Sequence, residues 1–374
     1  MLKSLSCLFL GLSLLFAGEI EFDFFLNPNS LILEEKDGFI IPHLADEVFL
    51  SEPGNPLLPQ VPVNLLIPPD AEGKSVEVMP IASQEFSLDK KIYPAQPPRP
   101  VSYKGEIPFT SPNEAVYSLM VEYPNSFTEG LRTGTKSGWR ISSFLLNPVR
   151  YLPNENKIVF YYHLRVKVNY DYSPEANYSP TPLTPSQREL FIKEVKSIVK
   201  NPEEAERYAP PLRLSDNPDV DYVIITTNAL STYWDNFKTW KTKKGFYTEV
   251  KTTEWISSTY PGRDLQEKIR NFIIDYWRNQ GLKYVLLAGD NSVVPCRRAR
   301  AVVSPYTGNI PCDLYFADLQ WSWDGDRDNI FGEADGDTVD FYADLYVGRA
   351  SVENQTEINT FINKVLTYEK TPVS

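Results

Sequence analysis

Three cysteines and two histidines are all that the chain offers for nucleophilic or soft-metal chemistry. A cysteine nucleophile needs an imidazole base within reach. His43 and His163 lie in the first half of the sequence, Cys296 and Cys312 in the second, and Cys7 in an apolar N-terminal run. His163 sits on an alternating stretch and reads as a surface or packing residue. The arginines after Cys296, in VVPCRRAR, would lower a thiol pKa. With no histidine nearby, Cys296 and Cys312 read as structural. A bond across their 16-residue separation is optional in an oxidising compartment. No serine stands in a G-x-S-x-G elbow and no glycine loop is built for phosphate. No complete catalytic centre is visible, and a zinc cluster or disulfide framework cannot be assembled from so few ligands.

Oxygen ligands are plentiful instead. Asp290 ends the apolar run KYVLLAGD, and ligands in open α/β sheets bind beyond the carboxyl ends of strands. In DFYAD, Asp340, Tyr342 and Asp344 alternate into a later strand, which predicts side chains on one side and carbonyls on the other. Converging beside Asp290, these groups would form an oxygen-rich calcium pocket; a solvated acidic loop is the competing reading. In DGDRDNIFGEADGD, Asp324, Asp326 and Asp328 stand two apart, with Glu333 farther on, like the opening of an EF-hand loop. Position 6 is Asn329 rather than Gly and position 12 is Asp335 rather than Glu. Asn tolerates the left-handed turn, so calcium is expected here also, against a solvated acidic insertion.

The elements that must position these residues divide at a change of pattern. Of the 31 prolines, 26 lie at or before Pro218. Residues 19–172 read as a β-rich, sandwich-like domain of short strands, including 61–69, 117–123, 139–152 and the strongly alternating 157–172. Residues 173–218 read as an exposed connector with one amphipathic helix, open to proteolytic nicking. From Asp221, apolar β-branched runs at 221–227, 246–253, 283–290 and 345–351 alternate with helical spacing. That order predicts an α/β domain over 219–374 with a mainly parallel sheet.

The net charge is −12, from 37 Lys+Arg against 49 Asp+Glu. Ten acidic residues and one basic residue between Asp313 and Asp344 carry most of it. This excludes general phosphate-backbone binding, so no nucleic-acid partner is expected. MLKSLSCLFLGLSLLFAG (1–18) has the layout of a secretory signal peptide. No later run is long enough to span a membrane, so a secreted or cell-surface protein is expected.

Taken in order, DYVIITT, TWKTKKGFYTEVKTT, KYVLLAGDNSVVP, DFYADLYVGRAS and a closing helix ending LTYEK resemble the start of the catalytic domain of the gingipain-type cysteine peptidases. Upstream, GNPLLPQVPVNLLIPPDA and WRISSFLLNPVRYLPNENKIVFYYHLRVKVNYDY are similar to that family's prodomain. The resemblance implies a secreted endopeptidase zymogen with a caspase-like catalytic domain, acting on protein or peptide substrates and contacted by its own prodomain. It places the His/Cys dyad beyond Ser374, so no catalytic residue is assigned here and this chain alone is expected to be inactive. It also implies a structural calcium on Asp290, Asp340, the Tyr342 carbonyl and Asp344, with a carbonyl near Asp337. Arg207 and Arg213 are candidate activation cuts. The rival readings are a non-catalytic, calcium-stabilised binding or inhibitory module, and a metal-dependent hydrolase using Asp290 and Asp340, which the shortage of His disfavours.

Overall fold

The computed structural model describes residues 17–49, 52–99, 103–172, 180–213, 219–303 and 306–372. The expected signal peptide lies outside the described residues, except that Ala17 and Gly18 begin the first strand.

The first domain contains β1 (Ala17–Phe25), β2 (Ile32–Lys36), β3 (Phe39–His43), β4 (Val61–Leu66), β5 (Ala71–Ser87), a short helix α1 (Glu114–Tyr117), β6 (Thr128–Lys136), β7 (Trp139–Leu146), β8 (Val149–Leu152) and β9 (Lys157–Tyr172). Among the described residues these strands pair antiparallel: β1-β9-β5 with β8 also on β9, β4-β7-β6, and the β2-β3 hairpin. The period-two reading of β9 holds, with Phe160, Leu164, Val166 and Val168 buried. They share one core with Val63 and Leu65 of β4 and Phe144 and Leu146 of β7, so the two sheets pack face to face. The stretch 117–123 is not a strand. Asn113 caps α1 by accepting from the Ala115 N–H, and Met120 and Val121 are exposed.

Over its described residues, 180–213, the connector is not an exposed linker. Its helix α2 (Pro185–Ile198) opens with a Thr184/Gln187 capping box. It buries Phe191, Ile192 and Val195 in the same core as the second domain. Burying that apolar stripe outweighs the Pro/Ser-rich flanks that suggested exposure.

The second domain runs β10 (Tyr222–Thr226), α3 (Asp235–Lys243), β11 (Thr248–Thr252), α4 (Thr253–Thr259), α5 (Leu265–Gln280), β12 (Tyr284–Ala288), β13 (Arg297–Val303), β14 (Tyr306–Cys312), β15 (Tyr346–Ala350) and α6 (Gln355–Lys370). The sheet order is β11-β10-β12-β15, all parallel. Alternation along the strands sends Val223, Ile225, Val285 and Leu287 toward α5 and α2. Ile224, Leu286 and Ala288 face α3 and α6 instead. The antiparallel hairpin β13-β14 was not legible in the arginine-rich run around Cys296.

Leu66, Trp139 and Ile141 of the first domain belong to the apolar cluster of the second, so the two domains share a core. Polar bonds fix the seam. Trp139 Nε1 donates to the Ala205 carbonyl at 2.8 Å. The Asn201 side chain accepts from Leu66 N–H at 2.8 Å and donates to Leu66 O at 2.9 Å, extending β4 as a strand would. Asn201→Ala leaves two buried backbone groups unpaired, each costing about 1–3 kcal/mol. An unfolding free energy lowered by about 2–6 kcal/mol, read as a lower urea midpoint, is expected, with an unchanged midpoint as the contrary result.

Candidate metal centre at the domain seam

The β6-β7 hairpin turns on Ser137 and Gly138, with φ of 49° and 92°. Positive φ at both central positions is what a type I′ hairpin turn requires. The turn is driven into the second domain. Ser137 N–H donates to Asp344 Oδ1 at 2.9 Å, its Oγ to the Asp344 carbonyl at 3.0 Å, and Thr135 N–H to Asp340 Oδ2 at 2.6 Å. Lys136 Nζ reaches the Ala343 carbonyl at 3.2 Å. Tyr342 is not a bystander: its hydroxyl pairs with Ser143 Oγ at 2.7 Å, across the same seam. Gly134 permits this approach, since a Cβ there would lie 2.8 Å from the Tyr342 ring.

The 340–344 segment is not the extended run its alternation suggested. Phe341 takes φ of 62°, a left-handed conformation rare for a bulky residue. The kink nevertheless leaves Asp340 and Asp344 together, and adds a residue missed in the sequence. Asp318 is 0% exposed, and neither of its carboxylate oxygens has a hydrogen-bond partner of normal geometry. Burial, then repulsion from Asp340 and Asp344, pushes its carboxyl up to about 8. The Phe341 N–H and the Arg270 charge give only partial relief. Burial also pushes Asp340 up to about 6 and Asp344 to about 7, against N–H donors from Tyr342 and Thr135 on the first and Leu319, Gln320 and Ser137 on the second. The missed signal was an Asp embedded in the apolar run YFADL, where a carboxylate is buried by its neighbours.

Asp290 does not join this group. Parallel β12 and β15 pair Tyr284 with Tyr346, so Asp344 precedes one end of the sheet while Asp290 follows the other. The five paired residues between them span roughly 16 Å at about 3.3 Å per residue. Asp290 instead accepts from Ser292 Oγ and N–H, both at 2.7 Å, and from Val293 N–H, which lower its pKa. Its turn is held to β15 by Arg349, which donates to the Gly289 and Val294 carbonyls and grips Asp313 with two bonds of 2.7 Å.

The acidic loop brings its expected residues together in two overlapping groups. Ligand oxygens of Asp326, Asp328 and Glu333 lie within 4.8 Å of one another, as do those of Asp324, Asp326 and Asp337. Asn329 is left-handed with φ of 69°, as its place at the sixth position required. The Asp337 side chain, unlike the carbonyl expected there, is the loop's organiser: it accepts from the N–H groups of Gly325, Gly332 and Glu333. Asp324 is taken by Arg263, so it is less free for an ion than Asp326, Asp328 and Glu333.

No Cys–His pair forms among the described residues. Cys296 Sγ donates to Asn291 Oδ1 at 3.1 Å, and burial raises the Cys312 thiol. Both are free thiols: β13-β14 pairs Cys312 with Arg297, which puts Cys296 one residue out of step. His43 lies between Glu34 and Glu47, and His163 against Asp23.

Two family profiles match: Propeptide_C25 over residues 20–201 and Peptidase family C25 over residues 215–374. Gingipain R2 of Porphyromonas gingivalis is 23% identical over 343 residues, covering 88% of this chain and 40% of its own length. Lys-gingipain of the same species is 24% identical over 341 residues, covering 86% and 17%. A solved complex of the P. gingivalis RgpB pro- and mature domains aligns at 18% identity and TM-score 0.36, covering 50% of this chain and 92% of that one. The chain thus spans 40% or less of the length of these curated relatives.

Carboxyls whose folded pKa is raised are stabilising when protonated, and that contribution is lost as pH rises through the folded value. The chelator-treated chain should therefore melt lower at about pH 8.5 than at about pH 5.5, the loss spanning the raised values of Asp340, Asp344 and Asp318. Asp318→Asn removes one unpartnered charge and should raise the midpoint at about pH 8.5 by about 2–4 °C, read by scanning calorimetry. A lowered midpoint would contradict this picture of the cluster.

Proposed function

Because the chain belongs to the gingipain-type cysteine peptidase family, carrying that family's propeptide and the N-terminal part of its catalytic domain, we propose that it is the precursor of a secreted cysteine endopeptidase, held latent by its β-rich domain. The observation that carries this reading is the tandem: the propeptide match forms the β-rich domain, and that domain is bonded through Thr135 and Ser137 to the α/β domain that bears the peptidase match. The four-stranded parallel sheet with helices on both faces agrees with a caspase-like subdomain. The His/Cys dyad belongs, on this reading, to residues following Ser374. There the thiolate attacks a peptide carbonyl while the His serves as base and then acid. The β-rich domain covers the enzyme until the connector is cut. Of the two candidate arginines, Arg207 has a side chain 72% exposed and Arg213 one 20% exposed, which favours Arg207.

Calcium is the second part of the proposal. The donor set of the acidic loop is all oxygen, which suits a hard cation that prefers such ligands. Asp326, Asp328 and Glu333, with Asp324 and Asp337 at the edge, would hold an ion in the acidic loop, in two overlapping groups whose ligand oxygens lie within 4.8 Å of one another. Among the described residues the ligand oxygens of Asp318, Asp340 and Asp344 form no such group, so the expected ion on Asp340, Asp344 and the Tyr342 carbonyl is not assigned to the seam. A bound ion supplies charge neutralisation and cross-linking of loops, not chemistry.

Expression of the coding frame through and past Ser374 tests the peptidase reading. The longer product, once nicked in the connector, should hydrolyse protein substrates and lose that activity on thiol alkylation, while the 374-residue chain stays inert. A longer product without thiol-dependent hydrolysis would favour the non-catalytic binding or inhibitory module instead. For calcium, the melting midpoint of the present chain should rise on adding the ion and fall back with chelator; an unmoved midpoint counts against the site.

A further inference from the structure

We propose that the chain self-associates through the open edge of β14, the outer strand of the β13-β14 hairpin, which pairs with the same strand of a second copy about a twofold axis at Gly308. This inference goes beyond the peptidase and calcium readings and depends on neither.

β14 is the least covered strand of the second domain. Residues 306–311 are all exposed, Ile310 at 53%, and among the described residues β14 has no ladder partner besides β13. The direction of its free main-chain groups follows from β13. Arg300 N–H donates to the Phe331 carbonyl at 2.7 Å, away from β14, so Arg300 and Asn309 form a non-hydrogen-bonded pair. The N–H and C=O of Asn309 therefore point to the open side. Period two puts Thr307 and Pro311 on that side as well. The Asn309 carbonyl also accepts from Arg298 Nη1 at 3.2 Å, which leaves its second lone pair free. Such a row of unpaired groups on an exposed edge is a template for another strand.

β14 is complementary to itself in one register. Antiparallel pairing about Gly308 sets Thr307 opposite Asn309 of the second copy, and the two exchange both of their outward main-chain bonds. Tyr306 then meets Ile310 of the second copy as a non-hydrogen-bonded pair, the closer kind, with Cα atoms about 4.5 Å apart. Apolar side chains meet on one face and polar ones on the other, as cross-strand pairing favours. Gly308 faces itself on the axis, and a Cβ there would have no other atom of its own chain within 4 Å. Moving the axis to Asn309 would oppose Thr307 with Pro311, which has no N–H to give, and Ile310 with Gly308. Moving it to Thr307 would oppose Tyr306 with Gly308. Both slips lose the apolar pair. Charge does not forbid the contact. Arg298 and Arg300 lie on β13, so those of the two copies stand three strand spacings apart, about 14 Å, beyond the screening length of about 8 Å at physiological salt.

Sedimentation equilibrium of the intact chain in chelator measures the association. The weight-average mass should climb from one copy toward two between about 1 and 100 µM, the range of a small interface. Asn309→Pro deletes the outward N–H without touching a bond to β13. By symmetry the dimer loses two hydrogen bonds, and it should weaken by about tenfold. Ile310→Lys, which sets a charge against Tyr306 of the second copy, should weaken it likewise. With oxidised glutathione, Gly308→Cys should form a covalent dimer through a disulfide on the axis. Thr307→Cys should not, because the two copies of that residue are out of step and beyond the roughly 7 Å Cα separation that a disulfide bridges. The parent treated alike gives the background from the free thiols of Cys296 and Cys312. An unchanged melting midpoint shows that each variant folds. A parent that stays single at about 100 µM overturns the proposal. So does a dimer unmoved by both Asn309→Pro and Ile310→Lys, or one in which Thr307→Cys links as readily as Gly308→Cys.

Discussion

A carboxylate removed from water must be met by hydrogen-bond donors or by a positive charge, and three of them side by side raise that demand steeply. Asp318, Asp340 and Asp344 are such a group, set where the two domains meet. The second domain answers part of the demand with the N–H groups of Leu319 and Tyr342 and the amide of Gln320. The first domain answers another part with Thr135 and Ser137. Asp318 is answered only in part, by the Phe341 N–H and the Arg270 charge.

Much of the seam's architecture follows from bringing those two N–H groups to the carboxylates. A two-residue turn with positive φ at both positions projects Ser137 from the end of β6. Gly134 lets the hairpin lie against Tyr342 without a Cβ in the way. Behind this polar contact, Trp139 and Ile141 plug the apolar core of the second domain, and Asn201 stitches the connector onto β4. The β-rich domain is therefore more than a tethered bead. Its release has to break a shared core as well as a handful of hydrogen bonds.

The legibility of the sequence tracked the range of the forces involved. Period-two burial in β9, the helical spacing of α5 and α6 and the β-branched runs of β10 and β12 are local patterns and were read correctly. The family order of motifs was equally legible, as was the left-handed role of Asn329. The 117–123 run misled because its apolar residues are exposed around α1, and periodicity alone does not report which residues are covered. The connector misled in the opposite sense: its prolines announced a linker, while Phe191, Ile192 and Val195 found a core elsewhere in the chain.

What the sequence determined by itself was the inventory and the order: a β-rich half followed by an α/β half, a dearth of His and Cys, and an excess of carboxylates in one window. Residue type and local spacing suffice for that, because they set propensity, alternation and charge. Which carboxylates share a site was decided only by tertiary structure. Strand register put Asp290 at the far end of the sheet from Asp344, and chain folding brought Asp318 and a hairpin some two hundred residues upstream into contact with Asp340 and Asp344. Such proximity is fixed by packing across the domain seam, and no local pattern in the chain encodes it.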